Sequence, residues 1–188
     1  MDTRDLPSSA PRDAVMADAA ELLPLVHAAL PELRCSVLVP NLKGLERAHA
    51  AGAAEIAVVL SATETMNQRN INMGLEQATE ISERTLAAAQ ALGLRTRAYV
   101  AVAFDCPFEG ETPLAEVLRL AQRMQAAGAG EIVIADTIGS ASPGMVKERM
   151  RVLAEAIAPE RLAIHLHDTR GMAVANAAPF VRQHAHGV

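Results

Sequence analysis

The chain has 188 residues, of which 51% are apolar and 2% aromatic, and it carries a formal net charge of −5. That length fits one domain with a sizeable core, while the acidic balance and scattered basic residues exclude a nucleic-acid binder. No apolar run reaches membrane-spanning length, and the two cysteines, Cys35 and Cys106, lack CxxC spacing and point to a reducing compartment.

Residues 1–12 contain Pro7, Ser8, Ser9 and Pro11 and are expected to be irregular, ahead of one domain over residues 13–188. Met1 to Asp13 is polar and has no apolar signal core, so a cytoplasmic location is expected, with no membrane partner. Apolar residues at helical spacing predict a helix from Ala14 to Leu30, with Pro24 as a kink or restart. Ser36 to Val39, ended by Pro40, predicts a strand. Asn41 then caps a helix through Ala51, stopped by Gly52. Glu55 to Leu60 predicts a strand, Ser61 to Asn72 a loop, and Gly74 to Leu92 a long helix. Arg97 to Phe104 predicts a strand and Asp105 to Glu111 its loop. Thr112 to Ala127 predicts a helix with Pro113 in its first turn. Glu131 to Ala135 predicts a strand, Asp136 to Ser142 a loop, and Pro143 to Ile157 a helix. Leu162 to His167 is the last strand, followed by a helix over about 172–186.

Five strands alternating with helices at this spacing predict an α/β fold. The strands are near-continuous apolar runs, as a sheet covered on both faces requires. No Gly-x-Gly-x-x-Gly follows the first strand, which argues against a dinucleotide-binding sheet. Polar residues collect after the strands instead: Asn41, Glu64, Asn70, Asn72, Asp105, Asp136, Thr137, His165, His167 and Asp168. Chemistry gathered at the carboxyl ends of many strands is the pattern of a (β/α)8 barrel.

The segment Leu162 to Gly171 carries the sharpest chemical signal. Alternation along a strand puts His165, His167 and Ala163 on one face. Two imidazoles at i and i+2 at a strand end suit one divalent metal ion. The competing reading is a pair of core histidines bonded to backbone carbonyls. Asp136 is either a catalytic carboxylate beside this pair or a cap of the helix that follows it. Asp168 is expected to orient a histidine from behind. Cys106 reads as a small loop residue, because no neighbour in sequence depresses its pKa.

Asn41-Leu42-Lys43-Gly44, Asn70-Ile71-Asn72, Cys106-Pro107-Phe108-Glu109-Gly110, Asp136-Thr137-Ile138-Gly139 and His165-Leu166-His167-Asp168-Thr169 occur here in one order. Together they resemble hydroxymethylglutaryl-CoA lyase, a divalent-metal TIM-barrel lyase. The resemblance implies Mg2+ or Mn2+, held by His165 and His167, with Ni2+ or Zn2+ open to a site made of these two alone. It implies catalytic roles for Asp136 and His165, and substrate contacts from Thr137, Asn70 and Asn72. The substrate would be 3-hydroxy-3-methylglutaryl-CoA, cleaved by a retro-Claisen step to acetyl-CoA and acetoacetate. Lys43 would either meet a coenzyme A phosphate or lie solvated on the surface.

The family pattern also opens with an Arg-Asp-Gly strand and closes with a glycine-rich cysteine loop and an asparagine ligand. Neither is present here, so the resemblance implies strands three to seven of eight, a partial (β/α)8 barrel. In such a wall Val37, Val39 and the face bearing Ala163 are expected to line the interior. The third and seventh strands would be open edges, so self-association or a complementing chain is expected. Two other readings fit the same motifs: another metal-dependent aldolase or Claisen-condensing enzyme, and a non-catalytic fragment that keeps a ligand pocket.

Overall fold

The computed structural model describes residues 19–184. In chain order its helices are α1 (Ala19–Ala29), α2 (Leu42–Ala50), α3 (Glu64–Ile71), α4 (Leu75–Ala91), α5 (Leu114–Ala126), α6 (Pro143–Ala156) and α7 (Ala173–His184). Its strands are β1 (Ser36–Leu38), β2 (Glu55–Ser61), β3 (Arg95–Ala101), β4 (Asp105–Cys106), β5 (Gly110–Glu111), β6 (Glu131–Asp136) and β7 (Leu162–Leu166). The five longer strands form one parallel sheet in the order β1-β2-β3-β6-β7. Strands β4 and β5 make a separate antiparallel hairpin. The main strands never skip a neighbour. A doubly wound sheet reverses its order at a switch point, and a barrel wall does not. The fold is therefore α/β and a partial TIM barrel.

Register sorts the side chains into two faces. Ile56, Val58, Leu60, Ala98, Val100, Ile132, Ile134 and Leu162 pack under the helices against Leu45, Leu86, Leu120, Met124, Met150 and Leu153. The other face carries layers like those inside a barrel. One row runs Leu38-Ala57-Arg97-Glu131, and the next runs Val59-Tyr99-Val133-Ala163. His165 lies one layer further, beside Ala135. Val37 and Val39 were expected on this inner face, and the register corrects that. Val37 pairs with Ile56 on the helix side, Val39 is buried there, and Leu38 is the inward residue. A shift of one residue exchanges the faces of a strand.

The stretch Ser61 to Asn72, expected as a loop, contains α3. Its sequence Glu-Thr-Met-Asn-Gln-Arg-Asn-Ile has no apolar stripe, so periodicity does not show it. Local bonds build it instead. The buried Asn67 accepts from the Ser61 N–H at 3.0 Å and donates to the carbonyls of Ser61 at 2.7 Å and Thr63 at 3.0 Å. Asn72 ends the helix in the left-handed region, at φ 54°. Glu64 then accepts the Leu75 N–H at 2.6 Å and so starts α4. Strand β3 begins two residues before Arg97 and stops at Ala101, short of the expected Phe104. The break is Val102, a buried β-branched residue at φ 48°.

On the outer layer an ion-pair network ties α4 to α5. Arg123 bonds Glu83 at 2.7 Å and Glu76 at 2.6 Å, and Arg119 bonds Glu116 at 2.6 Å. The hydrogen bond from Arg119 holds the Glu116 carboxyl below its ordinary value, and the two glutamates raise Arg123. Arg123→Met is expected to cost about 1 kcal/mol, the upper range for exposed pairs. Because the Glu116 pKa is depressed in the fold, its contribution is present above the unfolded carboxyl value. It is lost as pH falls through the folded one. Urea midpoints should therefore separate Arg119→Met, which removes the Glu116 partner, from the parent more at pH 7 than at pH 3.

Candidate metal and substrate site

Strand β7 owes its place to Leu162 and Ile164, which bury against the helix side and turn His165 inward. His167 is the first residue beyond the strand end and stays on the same face. Their Nε2 atoms are 3.1 Å apart and both rings are exposed. The Tyr99 ring, from β3, stands edge-on to His165 with centroids 5.9 Å apart. Two cis nitrogen ligands about 2.1 Å from one ion lie roughly 3.0 Å from each other. The pair therefore fits a shared divalent ion, and the same spacing also allows one ring to donate to the other. Among the described residues no third His, Cys, Asp or Glu joins them. What these residues offer is two nitrogens and an open remainder.

Asp136 ends β6, the neighbouring strand. It is 1% exposed, and its register partner is Leu166, between the two histidines. Its Oδ1 accepts the Ser140 N–H at 3.0 Å and its Oδ2 the Ala141 N–H at 3.1 Å. Its carbonyl accepts the His167 N–H at 3.3 Å. The carboxylate thus caps its own loop, and the link shown to the histidine pair runs through the backbone. Gly139, at φ 64°, lets this loop close on β7: a Cβ there would lie 2.7 Å from the His167 carbonyl oxygen and 2.8 Å from Thr169 Oγ1.

Thr137 Oγ1 accepts the N–H of Val102 at 2.7 Å, and the Val102 carbonyl accepts Thr112 Oγ1 at 2.7 Å. Two threonines thus brace the strained residue, whose backbone costs about 1–3 kcal/mol. The Thr137 hydroxyl proton still has to point at an acceptor. Thr137→Val should destabilise the chain by about 1–3 kcal/mol, because it strands a buried N–H. A shift of the urea midpoint at constant slope would show this, and an unchanged midpoint would contradict it.

The remaining expected residues fall as follows. Asp168 is corrected: its Oδ1 accepts the Ala173 N–H at 2.9 Å, so it caps α7 and does not bond a histidine. Asn41 caps α2 through the Gly44 N–H at 3.0 Å. Asn70 and Asn72 are exposed at the end of α3, and Asn72 Oδ1 accepts from Gln68 at 2.9 Å. All loops after parallel strands emerge at one end of the sheet, so these asparagines share an end with His167. Three strand spacings, about 14 Å, separate β2 from β7. Cys106 is buried and accepts the Thr63 hydroxyl at 3.1 Å. The sequence reading missed Arg149, which is buried and donates to the Ala103 carbonyl at 2.9 Å and to Glu111 at 3.1 Å. Its position in the stripe Val146, Arg149, Met150, Leu153 was the available signal.

Residues 13–186 match the family model described as HMGL-like. The cytoplasmic 3-hydroxy-3-methylglutaryl-CoA lyase of Rattus norvegicus is 40% identical over 161 residues, which is 86% of this chain and 47% of that protein. The crystal structure of the Bacillus subtilis HMG-CoA lyase superposes with a TM-score of 0.84 at 34% identity, covering 88% of this chain and 55% of that one. An Acinetobacter baumannii HMG-CoA lyase in complex with coenzyme A and 3-methylmalate has a TM-score of 0.81 at 33% identity, covering 88% and 53%. The chain spans about half the length of the relatives it matches. The chain therefore belongs to the HMGL-like family.

Proposed function

We propose that the protein carrying this chain cleaves 3-hydroxy-3-methylglutaryl-CoA to acetyl-CoA and acetoacetate in a metal-dependent retro-Claisen reaction. The observation that supports it most is the His165–His167 pair, 3.1 Å apart, with the Asp136-Thr137 loop closed against it. His165 and His167 would hold a divalent ion, Mg2+ or Mn2+ in the complete site. When bound, such an ion supplies Lewis acidity that lowers the pKa of the substrate hydroxyl and orients it. Asp136 is the proposed acceptor of the hydroxyl proton, on the strength of the Asp136-Thr137-Ile138-Gly139 resemblance; its two oxygens also accept the Ser140 and Ala141 N–H groups. Its fixed loop supplies the orientation that proton transfer needs. Thr137, its oxygen already engaged by Val102, would donate its hydroxyl proton to a substrate carbonyl or carboxylate oxygen. His165, which lies on the inner face beside Ala135, would be the ligand nearer the reacting carbons.

Asn70 and Asn72 would meet the coenzyme A end. Their distance from the histidines suits an elongated ligand, and the related Acinetobacter enzyme was solved with coenzyme A. A cavity of about 280 Å³ is lined by Asn41, Leu42, Lys43, Ile81 and Arg84, and Lys43 and Arg84 are the cations it would offer a phosphate. A cytoplasmic location belongs to the same reading, as in the name of the rat relative. Among the described residues no helix is long and apolar enough to cross a membrane.

The reading is tested on this chain completed with the remaining segments of a full-length relative, fused or in trans. Acetoacetate and acetyl-CoA released in equal amounts from 3-hydroxy-3-methylglutaryl-CoA are expected. Release of pyruvate from a 4-hydroxy-2-oxo acid, with none of the former products, would assign it to the aldolase class instead.

A further inference from the structure

The hairpin over residues 105–111 grips α3 along its whole length. Thr63 Oγ1, at the cap, donates to Cys106 Sγ at 3.1 Å. The Thr65 N–H, in the first turn, donates to Glu109 Oε1 at 2.7 Å. The Arg69 guanidinium, in the last turn, lies 4.6 Å from the centre of the Phe108 ring. Helix α3 needs such support. Eight residues are too few for a stable isolated helix, and Asn67 is its one buried side chain. Phe108 is 47% exposed, so its ring covers Arg69 more than it fills a core. The turn that Arg69 fixes is the turn that carries Asn70 and leads into Asn72.

The geometry points to Phe108 and Glu109 as positioning residues that act through α3 to hold Asn70 and Asn72 where the coenzyme A part of the substrate binds, a proposal that rests on the acyl-CoA reading above. Glu109 sets a carboxylate on the Thr65 N–H in the first turn of the helix, where negative charge is favoured. Phe108 holds the other end through the face of its ring on a cation. Neither touches the ligand.

The test uses the chain completed with the remaining segments of a full-length relative, as above, and three readouts: amide exchange over residues 64–72, calorimetric binding of free coenzyme A, and divalent-ion (Ni2+) binding. In the double variant Phe108→Ala, Glu109→Ala, exchange over 64–72 is expected to speed at least tenfold. Coenzyme A affinity should fall about tenfold, and Ni2+ affinity should stay within twofold. The conservative pair Phe108→Tyr, Glu109→Gln keeps the ring and the acceptor, and is expected to restore both. Unchanged exchange in the alanine variant overturns the proposal. So does faster exchange with unchanged coenzyme A affinity, or an equal loss of Ni2+ binding, which would mark general unfolding. If the parent chain binds no coenzyme A while exchange responds as expected, the acyl-CoA reading itself fails and takes the proposal with it.

Discussion

Replacing His165 and His167 together by alanine is expected to weaken Ni2+ binding by at least 100-fold in titration calorimetry, with His184 and His186 removed from both proteins. The two nitrogens are the metal-binding groups that the described residues bring together. Loss of a group that merely orients a ligand costs about 10–100-fold in affinity, so loss of both ligands costs more. The parent should prefer Ni2+, Cu2+ or Zn2+ to Mg2+. Imidazole suits the former, and the affinity of divalent ions rises from Mn2+ to Cu2+. Mg2+ demands near-ideal octahedral oxygen ligation, which two imidazoles do not give. Binding should also weaken in acid, because a ligating ring nitrogen must be unprotonated. Tight Mg2+ binding by the chain alone, or Ni2+ binding that survives the double substitution, would contradict the account.

The second large effect is on assembly. In the described sheet β1 and β7 each have one neighbour, so each presents a free row of N–H and C=O groups. The inner face is open as well: Leu38 is 44% and Val59 36% exposed. An apolar side chain left in water forgoes about 1.5–3 kcal/mol relative to burial. A domain is stable by only ~5–15 kcal/mol in total, so a few such side chains take up much of the margin. The 188-residue chain expressed by itself is therefore expected to self-associate and to melt broadly. Sedimentation velocity should show species larger than one chain. Segments of a relative that cover this face should return it to a defined species with a sharp melt. A monodisperse monomer with a sharp, cooperative melt in the chain alone would contradict this.

What the sequence shows of the fold follows physical periodicity. The βα spacing and the polar residues after each strand carry the barrel wall. Asn41 caps its helix as read, and the i, i+2 spacing puts His165 and His167 on one face. Where periodicity is weak, the reading falls short. A three-residue strand has too little alternation to separate Leu38 from Val37. Helix α3 has a buried asparagine in place of an apolar stripe. The grip of Glu109 on Thr65 joins residues 44 apart, which no local pattern displays. At the site, residue type shows what a side chain can do but not which partner it takes. Asp168 fits a helix cap as well as an orienting group, and only the position of Ala173 decides between them. The Asp136 carboxylate likewise has two backbone donors that the motif does not show.

The most direct test of the central claim compares acetoacetate release by the completed protein with that of its His165→Ala variant, each with and without a divalent ion. The account predicts release that requires the ion and falls at least 1,000-fold in the variant, about 4 kcal/mol of transition-state stabilisation. Turnover that persists in His165→Ala, or that is indifferent to removal of the ion, would contradict it.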